Sequence, residues 1–222
     1  MGAGVKTVEI NPKQTFVNHF CGGSTMRRVA SAIIAVSMIT TVCGAQTTAW
    51  KLDKAHSQAK FTVAHLVISE VTGFFRDFDI TMVTNKDDFT DANIETIIKA
   101  SSIETGNERR DNHLRGDDFF DAVKFPEIKF KSTMIEKTGE SAYRITGDLT
   151  IRGVTKSVVL DTKHKGILTD VRGSLRSVFK ATTTIDRFDF GVKWDRLIEG
   201  GGLVAGKDVD ITLSMEFTSG EK

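Results

Sequence analysis

The chain has 222 residues, 40% of them hydrophobic and 27% charged, with a formal net charge of +1. That is enough apolar material for one sizeable core, and a balance this near neutrality gives no electrostatic reason to expect a nucleic-acid partner. The aromatic content is skewed: 15 Phe stand against 1 Tyr and 2 Trp. Phe buries as much apolar area as its relatives but brings no polar handle, so it suits a dry core or a dry cavity.

Residues 1–25 form an upstream extension of unclear status, and Met26 is a second candidate start. Met26-Arg27-Arg28 then leads into an apolar run from Val29 to Val42, followed by small residues up to Ala45. A positive start, a short apolar stretch and a small-residue end are the pattern of a secretory signal peptide, here residues 26–45. The run is short for a membrane span, which needs about 20 residues. Cleavage after Ala45 is expected to release a mature domain over 46–222 into the periplasm, with no stable membrane span. Both cysteines, Cys21 and Cys43, would leave with the leader, so no disulfide is expected. Lys6, Lys13, Arg27, Arg28 and Glu9 would leave too, taking the net charge to −2.

From Trp50 onward the hydrophobic period is two. "FTVAH" puts Phe61, Val63 and His65 on one face, and "FDITM" puts Phe78, Ile80 and Met82 together. In "EIKFKSTM", Ile128, Phe130 and Met134 oppose a polar face. "YRITGDLTI" aligns Tyr143, Ile145, Leu149 and Ile151. "DVDITLSMEF" aligns Val209, Ile211, Leu213, Met215 and Phe217. Strands with one wet face belong to antiparallel sheets. Many of them in one domain, punctuated by Gly and polar clusters, predict an all-β sandwich or closed barrel. The length favours a barrel of about eight strands, whose interior can hold one small ligand.

One helix is expected, at about 105–115. Thr105 with Glu108 three residues on makes a capping box, and about two turns follow before Gly116. This stretch also crowds Arg109, Arg110, Asp111, His113 and Asp118 together. An enzyme reading makes Asp111, His113 and Asp118 a base with its orienter, and Arg109 or Arg110 an anion clamp for a lipid-like substrate. The competing reading is an ion-paired helix and loop over a barrel mouth. The second is favoured, because no nucleophile motif is recognisable and no histidines stand at metal-ligand spacing. His65 continues an apolar face, so it reads as a hydrogen-bonded core histidine.

Taken together, "WKLDKAHSQAKFTVAH", "GFFRDFD", "SSIETGNERRDNHLRGDDFFDAVKFPEIKFKST", "YRITGDLTIRGVTKSV" and "IDRFDFGV" resemble the YceI-like family of exported lipid-binding proteins, from about Trp50 to Phe217. Each piece is weak alone; their order and spacing are specific. The resemblance implies a lipocalin-like antiparallel β-barrel that holds one long apolar ligand, an isoprenoid or quinone chain or another lipid, with no catalysis, metal or other cofactor. It is compatible with a homodimer. The residues then expected to line the interior are Phe61, Val63, Phe75, Phe78, Phe119, Phe120, Phe125, Ile128, Phe130, Leu149, Ile151 and Phe179. His65, Arg109, Arg110 and His113 are expected at the rim, near a polar ligand head.

Overall fold

The structure, a computed structural model, describes residues 47–197 and 203–219. The expected signal peptide at 26–45 and the extension at 1–25 lie outside the described residues. Eleven strands follow in chain order: β1 (Thr48–Leu52), β2 (Gln58–His65), β3 (Ser69–Phe75), β4 (Phe78–Thr84), β5 (Asn93–Lys99), β6 (Ile103–Glu104), β7 (Glu127–Lys137), β8 (Ala142–Ile151), β9 (Val154–Thr169), β10 (Leu175–Asp186) and β11 (Ala205–Ser219). One helix, α1 (Glu108–Arg115), lies between β6 and β7.

The first six strands are three long ones, each broken once. β1 and β2 are separated by a single 3-10 turn at Lys54–His56, and both lie along β11. β3 and β4 are separated only by Arg76 and Asp77, and pair with β2 and β1 respectively. β5 and β6 are separated by a 3-10 turn at Ala100–Ser102, and pair with β4 and β3. Joined this way, the sheet is an up-and-down antiparallel barrel of eight strands, closed where β11 meets β1 and β2. The alternation in the sequence therefore has a simple cause: every strand has one face inside a closed ring and one in water.

Connections alternate between two ends. At one end lie the β2–β3 turn, α1 with its flanking loops, the β8–β9 turn and the segment leading into β11; this is the mouth. At the other lie the β4–β5 loop and the β9–β10 turn; this is the floor. The β8–β9 turn uses Arg152 and Gly153, both at positive φ, the backbone a two-residue hairpin demands. Near the floor, on the outer wall, Arg176 bridges Asp53, Asp170 and Glu216, tying β10 to β11 and to the β1–β2 break.

The inward faces form two buried clusters. One contains Ile128, Phe130, Ile145, Leu149 and Phe190; the other contains Trp50, Phe78, Met82, Phe89 and Phe217. Phe75, Ile94, Ile98, Ile135 and Leu213 pack against both and stay partly accessible. Inward side chains that are still partly accessible mean a hollow interior.

Two inward glycines make room for rings. A Cβ on Gly73 would lie 2.3 Å from Phe61 Cζ, and one on Gly147 would lie 2.4 Å from Phe130 Cζ and 2.5 Å from the Lys131 carbonyl oxygen. The expectation for Met134 is corrected. Ser132 pairs with Gly147 and Met134 with Thr146, so Thr133 is bulged out of the ladder. A bulge reverses the side-chain phase. Met134 is 50% exposed, and Ile135 takes the inward position.

Gly147→Ala is expected to lower stability by about 1–3 kcal/mol, the usual cost of overpacking. The Lys131 carbonyl is backbone and cannot rotate away as the Phe130 ring can. Thermal melting of the variant alone and combined with Phe130→Leu checks this: the second change should recover only part of the loss.

Candidate functional site

The hollow between the clusters is a cavity of about 640 Å³. Its width comes from small inward residues. Leu213 on β11 has Ala181 beside it on β10 and Ala59 on β2. Both alanines face the cavity, as do Thr96 and Thr162. Above and below this level larger side chains close in.

The floor is built on Phe89. The β4–β5 loop folds around the Asp91 carboxylate, which accepts hydrogen bonds from Thr84 Oγ1 (2.6 Å) and from the amides of Asn85 and Lys86. Phe89 is thereby turned inward, 5.6 Å from Trp50, 5.1 Å from Phe179 and 5.3 Å from His164 between ring centroids. His164 stacks on Phe179 at 4.7 Å, and its Nε2 is 2.9 Å from the hydroxyl of Ser177, which is wholly buried. Burial pushes the His164 imidazole below its ordinary pKa.

The mouth is built on α1. The helix spans Glu108–Arg115, but its cap is Asn107, whose Oδ1 accepts the Arg110 amide at 3.0 Å. The expected capping box from Thr105 does not form, because Asp111 claims Thr105 instead. The Thr105 amide (2.9 Å) and hydroxyl both donate to Asp111 Oδ1, and the Asp111 side of the helix is buried. Arg110 joins the same knot, donating from Nε to Thr105 Oγ1 (2.7 Å) and from Nη2 to the Thr105 carbonyl (2.9 Å). Arg115 donates to the carbonyls of Ser101 and Ile103, holding the helix against β6. These groups are construction.

Arg109 and His113 are placed differently. Both face the cavity from the exposed side of the rim. The Arg109 side chain has no hydrogen bond or ion pair among the described residues. His113 Nε2 lies 2.8 Å from Asp118 Oδ2, and its ring edge packs against Phe119 (5.0 Å) and Trp194 (5.5 Å). The acid–base cluster read from the sequence is thus only partly assembled. Asp118 meets His113, while Asp111 is bound to Thr105. His65 Nδ1 donates to the Val204 carbonyl at 3.0 Å, as a hydrogen-bonded core histidine does, and its ring still borders the cavity.

Of the expected lining residues, Phe61, Val63, Phe75, Phe119, Phe120, Ile128, Phe130, Leu149, Ile151 and Phe179 border the cavity, as do His65, Arg109, Arg110 and His113 at the rim. Phe78 and Phe125 do not. Phe78 is inward but packed into the floor-side cluster with Trp50 and Ile80. Phe125 lies outside the barrel, its ring against Gly153 and under the Lys124 ammonium. The sequence reading missed Phe89, Trp194, Leu213 and Arg187. A lone Phe among the polar residues of "NKDDFTD" was the available signal for Phe89. Arg187 borders the cavity almost wholly buried. It is held by the carbonyls of Val192 (2.7 Å), Gly206 (2.8 Å) and Ala205 (2.9 Å), and burial lowers its pKa. It fastens the segment after β10 to the start of β11.

Outside the barrel, Asp53, His56 and Glu216 come close enough together to hold a metal ion. The charge they need is already present: Arg176 lies among them, and hydrogen bonds from His56 first and Arg176 second hold the Asp53 carboxyl below its usual range.

The YceI-like domain model matches residues 50–217. The chain belongs to the YceI-like family. A UPF0312 protein of Staphylococcus aureus is 35% identical over 175 residues, covering 78% of this chain and 99% of that one. The crystal structure of the Campylobacter jejuni YceI protein is 33% identical with a TM-score of 0.62, covering 77% of this chain and 97% of that one. A polyisoprenoid-binding domain from Saccharophagus degradans shares the fold at 13% identity, with a TM-score of 0.54 over 77% of this chain and 98% of that one. The helix-bearing mouth and the cavity lie within the span of the YceI-like match.

The floor has a consequence for pH. His164 is held neutral in the fold, so its contribution is complete above the unfolded pKa of about 6.5 and is lost as pH falls from there through the lower folded value. The carboxylates held low, among them Asp53, Asp91 and Asp170, contribute until the pH drops below about 4. The melting temperature is therefore expected to fall between pH 7 and pH 5, and His164→Gln to flatten that slope. Equal slopes for parent and variant would place the acid sensitivity elsewhere.

Proposed function

We propose that this protein binds one long apolar amphiphile, an isoprenoid or quinone chain or a lipid of similar shape, inside the barrel and carries it without chemically altering it. The observation that carries this reading is the cavity: about 640 Å³, walled mostly by Phe, Ile, Leu and Val, closed by a floor of stacked rings and bordered at the mouth by Arg109, Arg110 and His113. A methylene takes about the room of one water molecule, roughly 30 Å³, so the cavity accepts a chain of about twenty carbons. Burying such a chain at about 0.8 kcal/mol per CH₂ gains about 16 kcal/mol gross, against an association cost on the order of 4–15 kcal/mol. Binding then needs no charged contact. Arg109 and His113 stand where the polar head of such a ligand would emerge. The polyisoprenoid-binding neighbour with the same fold supports the ligand class. The leader-like segment before Gln46 supports a periplasmic site of action.

The test is native mass spectrometry of the protein purified from its own cells, followed by extraction of the bound material. An apolar chain of the stated size is expected. A second measurement uses Leu213→Trp. Leu213 lies between two alanines and borders the hollow, so a larger ring has space that the ligand would otherwise fill. The delipidated variant is expected to melt within about two degrees of the delipidated parent, since bound ligand would otherwise raise apparent stability. Its co-purifying lipid should fall at least fivefold. A parent that yields no extractable lipid, or a variant that retains a full load, would overturn the carrier reading.

A further inference from the structure

At the mouth, the β2–β3 turn carries Leu66, Val67 and Ile68, with Val67 66% and Ile68 90% exposed. Turn residues are ordinarily polar, and these are not. Their backbone is also unfavourable: φ is +51° at Leu66 and +66° at Val67, a conformation that a β-branched side chain adopts only under strain. Asn-Gly is what such a turn favours. Folding gains nothing from apolar residues held this way, so the reason for them lies in what the turn touches.

The turn is the lip of the cavity. The Leu66 amide donates to the Val204 carbonyl at 3.0 Å, joining this hairpin to the segment that enters β11. Leu197, 73% exposed, lies in the same segment. Just inside, Val63, His65, Val71 and Val204 border the cavity. An apolar path thus runs from the interior to the exposed tips. The flanking exposed charges are mixed, Glu70 and Asp195 against Lys193 and Arg196. No net field favours a charged partner, and a protruding turn offers no groove for a peptide. We infer that this lip inserts into the surface of a lipid bilayer, so that ligand passes between membrane and barrel without crossing water. The inference rests on the carrier reading above.

The opposite end supplies a control. The β9–β10 hairpin also exposes apolar residues, Leu168 at the end of β9 and Val171 in the turn, but neither borders the cavity. Full-chain Val67→Trp and Val171→Trp proteins are mixed with vesicles of brominated phosphatidylcholine. Emission from the residue at 67 is expected to be quenched at least twofold and that from the residue at 171 to be unchanged. Trp50 and Trp194 also emit, so each signal is taken as variant minus parent under the same conditions; read this way it reports the added residue, and attachment through another part of the chain does not produce it. In a second arm, protein as purified is incubated with phosphatidylcholine vesicles, and the lipid left on it is followed by mass spectrometry. Leu66→Asn/Val67→Gly is expected to melt no lower than the parent, carry the same starting load and release it at least tenfold more slowly. An unquenched residue at 67, equal quenching at 67 and 171, unchanged release, or a variant whose only effect is to convert a dimer to a monomer would each overturn the inference. A parent with no starting load would overturn the carrier reading, and the quenching arm would still decide the docking.

Discussion

Closure of the sheet is the constraint on which the rest depends. β11 is paired with β10 along one edge and with β2 and then β1 along the other, and this closes the ring. Closure fixes the diameter, and the diameter fixes how much side chain can enter. With eight strands the interior can be either filled or hollow. Small residues decide which. Ala59, Ala181, Thr96 and Thr162 leave the middle open, while Gly73 and Gly147 let the rings of Phe61 and Phe130 lie flat against the wall.

The polar residues of the α1 region divide by what they hold. Asp111, Arg110 and Arg115 are engaged with Thr105, Ser101 and Ile103, and their hydrogen bonds fix the helix to the barrel. Arg109 and His113 are turned to the opening. A buried carboxylate satisfied by an amide and a hydroxyl is costly to disturb, which is why the helix makes a stable frame for its two neighbours. The floor follows another logic. It has no helix, only the Asp91 carboxylate gathering a loop so that one Phe ring is driven inward.

Most of the barrel was legible in the sequence because a closed antiparallel sheet writes its two faces into a period of two. Val209 to Phe217 shows this best. The pattern failed where the backbone departs from it. At Thr133 a bulge shifts the phase, and Met134 and Ile135 exchange faces. At Thr105 a capping motif was present, but Asp111 competed for the same hydroxyl and Asn107 took the cap. Phe78 and Phe125 showed the limit of reading lining from alternation, apolar character and resemblance. Both are large and apolar, and only register and loop path tell a wall from a packed corner or an outer face. The small residues that shape the hollow were invisible for the opposite reason, since an alanine inside a strand carries no signal by itself.

The last consequence concerns how the ring is made. Hydrogen bonds between Ser57 and Glu216 close it across 159 residues of chain. Every other pair of neighbours along the ring is also consecutive in the chain, so as the polypeptide emerges the sheet can lengthen one strand at a time. Until β11 arrives, it is an open sheet with β10 at one edge, β1 and β2 at the other, and the future cavity spread out as an exposed apolar face. Such a sheet is a template for joining another chain. The strand that removes both edges is the last of the ring in chain order. The interval before its arrival is when this chain most needs a chaperone.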